Sequence, residues 1–106
     1  MIARIIITGK LIKGIEPRVF ENAVRQVNRI IADYTGSVFE DELIRDSEDP
    51  FSYMMISKWT SKEAWDRWRA MPIHAAQLHP LRQYWQMQTI KAYEIAFVDE
   101  RSPLLS

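Results

Sequence analysis

A chain of 106 residues, 47% hydrophobic and 26% charged, has the composition of one ordinary globular domain with a single core. The absence of cysteine excludes disulfides, thiolate metal sites and a cysteine nucleophile, and it suits a reducing compartment. Fourteen basic residues balance fourteen acidic ones without a basic run, so neither nucleic acid nor an anionic membrane surface is an expected partner.

The first stretch, MIARIIITGKLIKG, is apolar but interrupted by Arg4, Thr8 and Lys10. It is too short and too polar for a signal segment or a membrane span, and a cytoplasmic location is expected. Residues 2–13 read as an isoleucine-rich strand, with Gly9 a candidate bulge. Pro17 fits the first turn of a helix over about 17–34, whose stripe is Val19, Phe20, Ala23, Val27, Ile30, Ile31 and Tyr34. Arg25, Asn28 and Arg29 then face water, and Gly36 is a stop signal.

Residues 37–50 read as a strand entering a polar turn that Pro50 closes, and 51–60 as its hairpin partner. Glu40, Asp41 and Glu42, with Asp46, Glu48 and Asp49, give this hairpin an acidic, solvated edge. Thr60 reads as an N-cap completed by Glu63, opening a helix through Trp65 and Trp68 to about Met71. A second helical piece runs from Ile73 toward Trp85, kinked or broken near Pro80. Residues 89–98 are the last strand of a single domain over 1–98, and 99–106 form a polar, loose tail.

The order β-α-β-β-α-β predicts an α+β, ferredoxin-like split βαβ fold: a four-stranded antiparallel sheet with two helices on one face. Both sides of the strands are apolar. Ala3, Ile5, Ile7 and Leu11 oppose Ile2, Ile6 and Ile12, while Phe51, Tyr53, Met55 and Trp59 oppose Met54 and Ile56. A sheet wetted on one side shows clean alternation instead. The helix-free face therefore needs a cover, and a second copy of the chain, giving a homodimer, is the simplest one.

Trp59 to Trp85 holds all four tryptophans and both histidines. Such a stretch can wall an apolar pocket for a planar aromatic molecule and supply a proton carrier. His79 is the candidate base and Trp68 the stacking wall. Tyr53 and Tyr93, expected on neighbouring strands, are the orienting groups, and Arg82 could hold a carboxylate or phenolate. His74 lies five residues before His79 and so points about 140° away on an unbroken helix. No spacing suits a protein-held metal, and no Ser-His-Asp order, glycine-rich phosphate loop or HExxH motif is present.

The stretch 57–79, SKWTSKEAWDRWRAMPIHAAQLH, resembles the antibiotic-biosynthesis-monooxygenase domain of the dimeric α+β barrel superfamily. That resemblance implies either oxidation of polycyclic aromatics by molecular oxygen, with neither flavin nor metal, or cleavage of haem. For the haem branch it implies an asparagine on the first strand, a tryptophan on the second helix and an iron-ligating histidine ten residues later. Trp68 matches; Leu78 stands ten residues on with His79 one place beyond, and Ile7 stands where the asparagine would be. The expected function is a monooxygenase-like protein oxidising or binding a planar aromatic. A haem-binding or haem-degrading enzyme and a non-enzymatic dimeric binding module are the alternatives.

Overall fold

β-branched side chains on both faces favour a pleated strand, and β1 spans Ala3–Leu11. The chain continues through α1 Pro17–Tyr34, β2 Val38–Arg45, β3 Ser52–Trp59, α2 Lys62–Ala70, α3 Pro72–Arg82 and β4 Trp85–Glu94. The structure is a computed structural model that describes residues 1–101, without the side chains of Ala75, Gln77 and Leu78. Of the expected tail, residues 102–106 lie outside the described part.

The strands pair antiparallel in the order β2-β3-β1-β4, the ferredoxin-like α+β arrangement. Two apolar clusters join the sheet to the helices. Phe20, Val24 and Val27 of α1 pack on Leu11, Tyr53, Leu81 and Trp85. Ala64, Trp65 and Trp68 of α2 pack on Ala3, Ile5, Val38 and Trp59. Ile7 and Ile31 touch both clusters and mark the seam between them.

Several boundaries differ from the sequence reading for physical reasons. Ser61 caps α2, its hydroxyl accepting from the Ala64 N–H at 3.1 Å. Thr60 stays instead with the strand ends, its N–H donating to the Ser37 carbonyl at 2.8 Å. The shift costs the capping box, since Glu63 is then one place short of the position that reaches back. α1 ends on Thr35 in extended conformation, so Gly36 is no left-handed cap. Val19, Ile30 and Tyr34 are exposed, and the buried stripe is Phe20, Val24 and Val27. α3 keeps Pro80 inside it without ending there. β4 starts at Trp85 and stops at Glu94, so 95–98 is not strand, and Phe97 and Val98 are exposed.

β1 and β4 slip register between Thr8 and Gly9, which makes the expected irregularity at Gly9. A second slip has more consequence. Val38 pairs with Trp59 and Glu40 with Lys58, leaving Phe39 unpaired as a bulge on β2. Strict alternation from Val38 would point Glu40 and Glu42 at the helices. The bulge instead turns Asp41, Leu43 and Arg45 to that side, opposite Ser57, Met55 and Tyr53.

Candidate functional site

A small chamber lies at the seam of the two clusters, between sheet and helices. Ile5 and Ile7 of β1 and Met55 and Ser57 of β3 form its floor, and Val24, Asn28 and Ile31 of α1 form one side. Trp59, Trp65 and Trp68 wall it, while His74 of α3 and Asp41 and Glu42 of β2 are its titratable groups. Its volume is about 50 Å³.

The tryptophans are held on several sides. Trp59 ends β3 on the helix side, and its indole N–H donates to the Ser57 hydroxyl at 2.9 Å. Trp65 and Trp68, three apart, share the buried face of α2, and the Arg69 guanidinium lies 4.4 Å from the Trp65 ring centre. Trp68 meets His74 edge-on at 5.8 Å between ring centres and Tyr34 at 6.3 Å. Ring positions fixed this way suit a wall that a flat ligand can stack on.

His74 is half-buried. Burial lowers its pKa below 6.5, and repulsion from Arg69 and Arg82 lowers it further. The imidazole is thus neutral at pH 7, an acceptor on one nitrogen and a donor on the other. Burial acts oppositely on Asp41, raising its carboxyl to about 6. Asp41 is exposed as a residue, because it stands at the rim, where water reaches its outer side.

That rim opens into an outer cleft of about 380 Å³ between α1 and β2. Glu21, Arg25, Leu43, Arg45 and Tyr53 line it, and it shares Val24, Asn28 and Asp41 with the chamber. The Tyr53 hydroxyl donates to Glu21 Oε2 at 2.6 Å, and burial followed by the Glu21 carboxylate raises its pKa.

Of the residues expected to form the site, the structure brings only Trp68 to the chamber. His79 is exposed and lines neither chamber nor cleft, and the chamber's histidine is His74. Both lie on α3, and five residues of helical rotation separate them. Tyr53 and Tyr93 do not meet. β1 separates their strands, and Tyr53 faces the helices whereas Tyr93 stands on the helix-free side beside Arg4. Arg82 lines a separate surface hollow with Ile12, Trp85 and Met87. Asn28 faces the chamber rather than water, and Asp41 borders it rather than serving only the solvated edge. Neither could be found by alternation alone, since a bulge re-aims Asp41. Among the described residues no group of three or more His, Asp or Glu could hold a metal ion. No described helix is long and apolar enough to cross a membrane.

Residues 18–78, more than half of the chain, match a family model described as antibiotic biosynthesis monooxygenase. Among solved structures, the chain is similar to SnoaB from Streptomyces nogalater, described as a cofactor-independent oxygenase. That match has 18% identity and a TM-score of 0.77, covering 92% of this chain and 95% of SnoaB. HapK from Hahella chejuensis matches with 19% identity and a TM-score of 0.76, covering 94% and 98%. A dimeric protein of unknown function and ferredoxin-like fold from Bacteroides fragilis matches with 13% identity and a TM-score of 0.69, covering 89% and 96%. No curated protein matches the sequence.

Proposed function

This chain belongs to the antibiotic biosynthesis monooxygenase family, and we propose that it binds and oxidises a planar aromatic molecule without flavin or a protein-held metal. The observation that carries the reading is the convergence of Trp59, Trp65, Trp68, His74 and Asp41 on one chamber. Molecular oxygen reacts sluggishly with ordinary organic molecules because the reaction is spin-forbidden. An electron-rich ligand that can lose a proton and is held away from water removes part of that barrier. Tryptophan faces supply the dry wall, and His74 and Asp41 supply the proton exchange. The likeness to a cofactor-independent oxygenase supports the same reading.

The chamber alone admits only part of one ring, well below the roughly 150 Å³ of an engineered cavity that takes benzene. A planar ligand therefore enters between α1 and β2, one edge in the chamber and its body in the outer cleft. Haem suits this arrangement poorly. Its iron needs a histidine nitrogen presented to a slot as wide as a tetrapyrrole. His79 is exposed and borders neither space, and His74 stands in the small chamber against Trp68.

A polycyclic phenol added to the apo-protein should quench tryptophan fluorescence, and oxygen uptake should follow with no flavin or metal added. Quenching without uptake would leave a binding module. The absence of both responses would overturn the reading.

The proposal includes a homodimer. Ile6, Ile44, Met54 and Ile56 stand on the helix-free side of neighbouring strands, outside both core clusters, with Ile44 exposed and the other three only partly buried in one copy. The dimeric relative from Bacteroides fragilis supports such a pairing. Ile56→Lys would place a charge at the centre of that face and should halve the mass seen by light scattering at micromolar concentration. A wild-type monomer under the same conditions would refute the dimer.

A further inference from the structure

Asp41 presents a carboxyl at the junction of chamber and cleft, on an inward position created by the β2 bulge. Among the described residues that carboxyl makes no hydrogen bond and no ion pair, although Asn28, Arg25 and Arg45 share its surroundings. A partly desolvated carboxylate left without a partner is costly to fold around. Water meets its outer side, and its inner side is free to meet a ligand lodged in the chamber. We propose that Asp41 is the base that takes the proton of a ligand hydroxyl, so that the ligand is a hydroxylated planar compound, a phenol or an enol.

The inference rests on the aromatic-chamber reading and deepens it. In the step, the ligand O–H bond breaks with its electron pair left on the ligand oxygen, and a new O–H bond forms on an Asp41 carboxyl oxygen. The negative charge passes from the protein to the ring, leaving the total charge unchanged. The ring becomes electron-rich where the tryptophan wall holds it. The outer cleft then lets Asp41 return the proton to water.

The groups facing Asp41 are consistent with this role. Glu21, Arg25 and Asn28 come from α1, Glu42 and Arg45 from β2, Tyr53 and Ser57 from β3, and His74 from α3. Glu21 is engaged by the Tyr53 hydroxyl. The two arginines do not pull the Asp41 carboxyl down, and burial is what moves it, to about 6. Such a carboxylate is ionised at pH 7.5 yet more basic than an ordinary one, the compromise a general base requires. His74 is the rival base, but burial and two cationic neighbours weaken its hold on a proton.

The test compares 2-naphthol with 2-methoxynaphthalene, which has the same ring system and no O–H to donate. Wild-type protein at pH 7.5 should bind the naphthol about tenfold more tightly, as expected for a hydrogen bond to a charged acceptor. That preference should shrink several-fold at pH 5, where Asp41 is protonated. Asp41→Asn should show a small preference that does not change with pH, whereas His74→Gln, which removes the rival base, should keep the pH dependence of the preference even where it weakens both probes alike. The folded state raises the Asp41 pKa, so the ionised form is the destabilising one. Asp41→Asn should therefore melt higher than wild type at pH 7.5, and the gap should close as the pH falls below about 4. Carbon NMR of the wild-type Asp41 carboxyl, titrating near 6, checks the same group without a variant.

If both probes bind wild type equally, or if the preference and its pH dependence survive in Asp41→Asn, the base is not Asp41 and the aromatic chamber still stands. Loss of the pH dependence in His74→Gln, with its survival in Asp41→Asn, would assign the role to His74 instead. If neither probe binds, the chamber reading fails and this proposal fails with it.

Discussion

Trp68→Ala should lower stability by about 3–5 kcal/mol and abolish aromatic binding, whereas Trp68→Phe should retain most of the stability and part of the binding. Trp68 is 3% exposed and is packed by Tyr34, His74 and the second core cluster. Truncation removes the largest apolar side chain available and leaves a void that α2 and the sheet cannot close. The loss compares with roughly 5–15 kcal/mol for an entire domain, so the melting temperature should fall by more than about 10 °C. Thermal unfolding followed by circular dichroism measures this. A cost under about 1 kcal/mol would show that Trp68 is not packed in the core. Binding by Trp68→Phe as tight as by wild type would show that the indole is not the stacking wall.

Gly9→Val should cost about 3 kcal/mol or more, and Gly9→Ala somewhat less. The backbone at Gly9 has ordinary dihedrals, so the cost is wholly steric. A Cβ there would fall on the Trp85 ring and lie 2.5 Å from the Gln86 carbonyl oxygen. The ring could turn aside, but the carbonyl belongs to the β4 backbone in the sheet and cannot. Gly36→Ala is the control, since a Cβ at Gly36 meets nothing within 4 Å, and it should stay within about 0.5 kcal/mol of wild type. Trp85→Phe in the Gly9→Ala background should restore part of the loss, because a smaller ring makes room. It also removes an indole N–H that is buried without a partner. Urea midpoints for the four variants, set against wild type, decide the matter. An unchanged midpoint for Gly9→Val would mean that β1 and β4 do not approach this closely.

Elements and their order were legible in the residues because hydrophobic period and breakers act locally. The Pro17 start and the apolar stripe that follows gave α1 its residues, Pro17–Tyr34. Pro50 and the acidic turn separated β2 from β3. The tryptophan-rich stretch pointed to the correct region, and Trp68 does reach the chamber. The rest of the site was not legible. The expected pairing of Tyr53 with Tyr93 depended on strand order, and β1 lies between their strands. His79 and His74 differ by five residues of helical rotation, and only docking of α3 decides which one turns inward.

Composition, strand count and helix periodicity by themselves determined that this chain makes a split βαβ sheet with helices on one face. Each of those signals is carried by residues close together along the chain. Tertiary structure alone decided that Asp41 enters the chamber, because one unpaired residue at Phe39 reverses the alternation that follows it. It also decided the shifted acidity of Asp41 and His74, since burial between two layers sets both and no local pattern encodes burial.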